Sequence, residues 1–397
     1  GPTIAITGGK VYPVSGPPID NATVVITGGK ITAVGANITP PAGATIVDAK
    51  GKWVTPGLIN AATALGLVEV GSVQATNDDT AKGDHAVAAA FRAWEGLNLA
   101  SVLWAPARNE GVTTVLSLPS GGLVAGQGAA VDTAGATRDE AVRKSPVAMV
   151  ANLGAPDAAE AKARGELFMR FRELLEDARV YAANKAAYER AATREFVTGR
   201  LQLDALQQVL GSKLLLLVAA DRASDILSVL DIAHEYKLRI AILGGAEAWE
   251  VADKLAAAKV PVLTIALDNI PTSFATLGSR QENAGLLRKA GVPVIVTAGE
   301  GEVFNVRNVK QNAGNAVAYG MTWDDALRAV TLTPAEVFGL DAAIGSIAVG
   351  KDANVVVWSG DPFEFSSRAE HVYIRGREAQ GTSRQDLLTE RYKTPGR

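Results

Sequence analysis

Two kinds of hydrophobic pattern divide the chain. Over residues 3–55, short runs in which apolar and polar positions alternate are separated by turn signals: TIAITGGKVYPV, ATVVITGGKITAVG and ATIVDAKGKWVTPG. Alternation with period two predicts strands, and Gly8-Gly9-Lys10 and Gly28-Gly29-Lys30 sit where tight turns need positive φ. From residue 56 the runs become solidly apolar, as expected of strands buried on both faces. The candidates are 112–118, 146–153, 213–220, 239–245, 260–267 and 292–299. Ala-rich helical stretches such as 247–259 and 282–291 lie between them and imply parallel crossovers. Units repeated in this way predict an α/β fold with a closed (β/α)8 TIM-like barrel, an open doubly wound sheet being the alternative. Residues 160–210 are polar with apolar positions at helical spacing, and read as a helical insertion forming a lid over the barrel mouth. Strand patterns return at 345–358 and 371–379, followed by a polar tail over 381–397 that is expected to fray.

The predicted organisation is therefore a small β-sandwich domain made from both chain ends, 1–55 plus 344–380, with the barrel of 56–343 inserted between them. The length of 397 residues suits one large barrel with an appendage, and 48% hydrophobic against 20% charged residues suits a large core. With 39 basic and 42 acidic side chains, the net charge of −3 provides no basic face for a nucleic acid. Cysteine is absent, which excludes thiolate nucleophiles, Cys-ligated zinc and iron–sulfur clusters. No apolar run reaches the roughly 18 residues of a membrane span. The start at Gly1-Pro2 looks like a tag-cleavage scar on a trimmed N-terminus, so a removed export signal is one expectation.

Four segments carry a family resemblance: WVTPGLIN (53–60), EGVTTVLSLPSGGLVAGQ (110–127), TLTPAEVFGL (331–340) and GSIAVGKDANVVVWSGDP (345–362). In this order they resemble the amidohydrolase superfamily, in its imidazolonepropionase-like and secreted amidohydrolase-like branch. That resemblance implies a barrel inserted in a sandwich and, nominally, hydrolysis of amide C–N bonds by zinc-activated water. A periplasmic or secreted location is the expectation for this branch, with a cytoplasmic one left open.

The family's metal ligands, by contrast, have no counterpart. Its first barrel strand carries a His-x-His pair whose side chains share one face, and here those positions are Ala62 and Ala64. The histidine that ends the fifth strand matches Ala219 in LVAADRASDI. The sixth strand ends in Gly244-Gly245-Ala246-Glu247, and the eighth in Thr297-Ala298-Gly299-Glu300-Gly301-Glu302 in place of the family's aspartate. The three histidines, His85, His234 and His371, fall on a polar loop or helix start, a helix face and a sandwich strand. No metal site and no cofactor are therefore expected. Loss at three or more positions reads as descent rather than a designed knockout.

A barrel keeps a pocket at its C-terminal strand ends whatever its ligands. Polar residues expected there are Asn60, Glu69, Asn152, Asp221, Arg222, Asp268, Asn269, Glu300 and Glu302. Glu69 either faces the pocket or is a solvated loop carboxylate. Arg222 with Asp225 offers a two-pronged grip on a carboxylate, while Asp221 or Ser224 as a helix N-cap is the structural alternative. Glu300 and Glu302 can act as a base or a carboxylate pair if burial raises one of them. SGGLVAGQG (120–128) lacks the pattern of a phosphate-binding loop and reads as a barrel loop, and no Gly-x-Ser-x-Gly elbow occurs.

Three functions fit these residues. The first is a metal-free pseudoenzyme or non-catalytic subunit, the second a metal-independent hydrolase using pocket carboxylates, and the third a small-molecule binding protein. Fold analogy alone suggests a small-molecule ligand in the barrel mouth, and a second copy of the chain or a histidine-bearing paralogue as partner.

Overall fold

A computed structural model describes residues 1–83, 86–267, 270–299 and 302–393. His85, Asp268, Asn269 and Glu300 lie outside the described residues.

Strands from both ends of the chain share one sheet. β1 (Ile4–Val11), β2 (Ile19–Thr27), β3 (Lys30–Gly35), β4 (Thr45–Asp48) and β5 (Trp53–Pro56) open the chain. β6 (Leu58–Thr63), β7 (Val112–Ser117), β8 (Val124–Asp132), β9 (Val142–Asn152), β10 (Leu216–Ala220), β11 (Ile240–Gly244), β12 (Val262–Thr264) and β13 (Val294–Val296) follow. β14 (Val355–Trp358), β15 (Ala369–Ile374) and β16 (Arg377–Glu378) then return to the first sheet, whose order is β16-β15-β14-β5-β1-β2-β3 with β4 on β1. Gly28 and Gly29 make the β2–β3 turn at positive φ, as the sequence predicts. Gly8 and Gly9 instead lie inside β1, where the register to β2 shifts. The reason is a change of partner: Ile4–Thr7 pair with β4, whereas Lys10 and Val11 pair with β5.

The second sheet, β6 through β13 in chain order, curls into a nearly closed barrel. Its strands are buried on both faces, as solid apolar runs require. Ile59, Leu116, Leu217, Leu243, Leu263 and Ile295 fill the lumen, closed at one end by Phe338, Leu340 and Ile344. Alternate residues such as Leu216, Val218, Ile242 and Val262 meet the surrounding helices. Each buried Leu or Ile contributes about 2 kcal/mol by leaving water. Helix Ala223–Tyr236 shows the matching pattern, burying Ile226, Val229, Ile232 and Ala233 on one face.

Two expectations about connections are corrected. The loop expected at 120–128 is in its second half strand β8, which runs antiparallel to both β7 and β9, so one barrel unit is a hairpin instead of a parallel crossover. All nine residues of β8 are buried, and Gly126 and Gly128 occupy points where a Cβ would meet Phe91 or Ser117 at 2.7–2.8 Å. Glycines serving close approach look, in sequence, like glycines serving a loop. The helices at Arg164–Ala183 and Arg200–Leu210 are present, but not as a lid. They bury Leu167, Phe171, Leu174, Leu203, Leu206 and Val209 in the same core as the outer faces of β9 and β10, on the barrel flank. The tail carries a helix at Arg384–Lys393, opened by Ser383, which accepts from Asp386 N while donating to its carboxylate.

Candidate binding site at the barrel mouth

The parallel strands β6, β7 and β9–β13 point their C-terminal ends at one rim, and two cavities open there. The first, of about 440 Å³, lies beyond β10, β11 and β12, walled by Ala219, Asp221, Gly244 and Thr264 and by the segment from Ile270 to Ser279. The second, of about 730 Å³, lies beside the end of β13, and its walls include Glu302, Asn312 and Phe365. Ile265 and Leu267 line both.

The first cavity is built by tight backbone. Asp221 Oδ1 accepts a hydrogen bond from Ala246 N at 3.1 Å, drawing the turn after β11 against the end of β10. Gly244 permits this: its φ is +95°, and an added Cβ would stand 2.6 Å from Asp221 Oδ1. Glu247 fixes the opposite wall. Its two oxygens accept from Ala223 N at 3.0 Å and Gly278 N at 2.7 Å, so one carboxylate caps a helix and holds the loop over the cavity. Trp249 Nε1 donates to Gly278 O at 2.7 Å, and Ser273 and Thr276 close a capping box in the same loop.

The residues singled out in the sequence are spread more widely. Asp221 lines the first cavity and Glu302 the second. Asn60 is fully buried, with Nδ2 donating to Ala298 O at 2.8 Å and Val306 O at 3.1 Å, and so bridges β6 to the segment that follows β13. Glu69 accepts from Asn98 Nδ2 and Ser101 Oγ at 2.9 and 2.8 Å, tying two loops together. Asn152 donates to Gly122 O. Arg222 is exposed at the N-cap position of Ala223–Tyr236, where Glu247 supplies the side-chain cap that Asp221 or Ser224 was expected to provide. Asp225 is buried one turn in, 3.5 Å from Arg164 NH1, so it forms no grip with Arg222 around a ligand. Burial raises the Asp225 pKa, and Glu247 adds to this, while Arg164 and Arg222 oppose it. Yet Asp225 lines neither cavity. His234 is exposed on its helix, and His371 Nδ1 lies 2.6 Å from Glu378 Oε1 on the other sheet.

A zinc ion, as the family resemblance implies, needs imidazole or carboxylate donors converging at about 2 Å. Ala62, Ala64 and Ala219 offer methyl groups, which have no lone pair. Among the described residues, no group of three or more histidine, aspartate or glutamate side chains is placed to hold a metal. These residues do not fit the ion. What the mouth does offer is acceptors, hydroxyls and apolar walls in concave surfaces of ligand size.

Glu247 and the amides of the second cavity, Asn305, Asn308, Gln311 and Asn312, are the site features that sequence reasoning missed. The amides fall at helical spacing in FNVRNVKQN, a signal present in the sequence. Glu247 gives no such signal, because its partners come from residues 223 and 278.

Comparison with known proteins agrees with the architecture. Residues 182–379 match the model of the Amidohydrolase family. The crystal structure of an amidohydrolase from Thermotoga maritima MSB8 superposes with a TM-score of 0.85 at 30% identity, covering 95% of this chain and 99% of that one. Amidohydrolase tasK of Hapsidospora irregularis is 25% identical over 187 residues, which is 46% of this chain and 19% of that protein. An imidazolonepropionase of Sphingopyxis alaskensis is 44% identical over 54 residues, 13% of each chain. The chain thus spans under a fifth of the length of either curated relative. Together, the near-complete structural match and the family match show that the chain belongs to the amidohydrolase superfamily.

Proposed function

We propose that this chain is a metal-free member of its superfamily that holds a small molecule at the barrel mouth without hydrolysing it. The observation that carries this reading is the set of methyl groups at positions 62, 64 and 219, where the family resemblance implies histidines. Hydrolysis in the family begins with water activated on a metal. Asp225, a carboxylate whose pKa burial raises, lines neither cavity, so it is not placed to take over that step. The remaining features favour binding, since an enclosed volume with a carboxylate, hydroxyls and aliphatic walls orients a ligand without needing an activated nucleophile.

A direct test is hydrolysis of a panel of N-acyl amino acids, dipeptides and cyclic amides, with zinc added or with chelator. We expect no turnover above buffer in either condition. Turnover that zinc stimulates and chelator abolishes would sink the proposal. Turnover indifferent to both would favour a carboxylate hydrolase.

A second reading, a non-catalytic subunit, draws support from the loop over the first cavity. Leu267, Ile270, Phe274 and Leu277 are exposed there, with Phe274 at 88%. Burial of these side chains by a second chain would remove apolar surface from water. Light scattering of the protein and of Phe274→Glu tests this: a dimer that the substitution dissociates supports it, and a monomer in both cases rejects self-pairing.

A further inference from the structure

The second cavity carries a chemistry of its own, and from it we infer a binding site for a neutral, hydroxyl-rich ring compound, a mono- or disaccharide. The inference does not depend on whether the chain hydrolyses anything. Four carboxamides, Asn305, Asn308, Gln311 and Asn312, line one cavity, on a single helical stretch after β13. A carboxamide presents a donor and an acceptor side by side, which matches a vicinal diol: one hydroxyl donates to the amide oxygen while its neighbour accepts from the amide nitrogen.

The amides are held in fixed orientations. Asn305 Nδ2 donates to Glu302 Oε2 at 3.2 Å, and Asn308 Nδ2 donates to Asn305 Oδ1 at 3.2 Å. This relay, anchored on a carboxylate, leaves Asn308 Oδ1 and one N–H of each Asn without a partner among the described residues. Asn312 is committed to the fold, accepting from Leu267 N and donating to Asn308 O. Gln311 Oε1 is buried and has no hydrogen-bond partner among the described residues, a state that costs about 1–3 kcal/mol and that a bound hydroxyl would relieve.

Shape and charge agree with the donors. Phe365 stands at the rim with 92% of its surface exposed, and its ring face is a platform for the C–H face of a pyranose. Ile265 and Leu267 provide an apolar wall opposite polar groups, as an amphipathic sugar ring requires. No lysine or arginine is among the described lining residues, so a phosphorylated ligand finds no counter-charge. At about 730 Å³ the cavity lies within the size range of small-molecule sites.

The experiment is saturation-transfer difference NMR on the full chain with cellobiose, maltose and N,N′-diacetylchitobiose, and with triglycine as an amide-bearing control, each at about 10 mM. We expect at least one disaccharide to bind, with transfer concentrated on ring C–H protons. Asn308→Leu and Phe365→Ala are each expected to weaken it roughly tenfold. His234→Ala, on a remote exposed helix face, should leave binding unchanged. Phe365 is exposed, so its truncation leaves the fold intact even if Asn308→Leu does not. Absence of binding by all three disaccharides overturns the inference. So does disaccharide binding that Phe365→Ala leaves unchanged, or binding of triglycine alone.

Discussion

Asn60 shows how a polar side chain inside a barrel strand can serve closure instead of chemistry. Its amide donates to Ala298 O and Val306 O from a fully buried position, bridging the seam between the first and last barrel strands. Asn60→Leu removes both donors and strands two carbonyls, so we expect a loss of about 2–4 kcal/mol in urea unfolding. A loss under about 0.5 kcal/mol would mean that the carbonyls find other partners. The sequence placed Asn60 on the first barrel strand and expected it at the pocket, but it is the third of six residues in β6 and lines neither cavity, and the direction of its side chain was not legible. That direction depends on residues 238 and 246 positions away. The same holds for Glu69, whose partners Asn98 and Ser101 come from another loop. The alanines at 62, 64 and 219 are read from residue identity alone, and their match to the family's ligand positions rests on the resemblance.

Among the elements, strands buried on both faces were the most legible, since six apolar runs coincide with β7 and β9 through β13. The exception is β8, in which Gly126 and Gly128 mask a strand as a loop and turn one parallel unit into a hairpin. Helix Ala223–Tyr236 was legible in its apolar spacing, but its cap was not, because Glu247 arrives from the next strand's end. Glu247→Ala removes an acceptor from Ala223 N and Gly278 N together. We expect it to cost about 1–3 kcal/mol and to accelerate hydrogen exchange at both amides. Destabilisation with unchanged exchange at Gly278 would separate the helix cap from the loop and remove the account of how the cavity wall is held.

At the scale of the molecule, a polar hub joins the barrel to the sheet formed by the chain ends. Arg143 on β9 donates to Asp132 on β8 at 2.5 Å and to Asp352 at 2.6 Å. Asp352 also receives Lys30, and Asp132 receives Arg375 at 2.9 Å. Burial pushes the Asp352 pKa up, but the hydrogen bonds from Lys30 and Arg143 outweigh it, leaving the carboxyl below its ordinary value. A depressed carboxyl contributes stability above the unfolded pKa, near 4, and loses it as pH falls through the folded value. The melting-temperature gap between the protein and Asp352→Asn should therefore hold from about pH 7 to 5, begin to narrow near pH 4 and go on narrowing as pH falls further. A gap that does not narrow at all between about pH 5 and pH 2 would assign the hub's contribution to packing. None of this hub was visible in the sequence, because its members come from four separate segments.

Whether the mouth has abandoned the metal is read most plainly by counting zinc. The protein is incubated with excess zinc, desalted and measured by mass spectrometry. The account predicts well under about 0.1 zinc per chain, since alanines at 62, 64 and 219 donate nothing. About one or two zinc ions retained per chain would contradict it, showing that other side chains had rebuilt a metal centre and returned the protein to zinc-dependent hydrolysis.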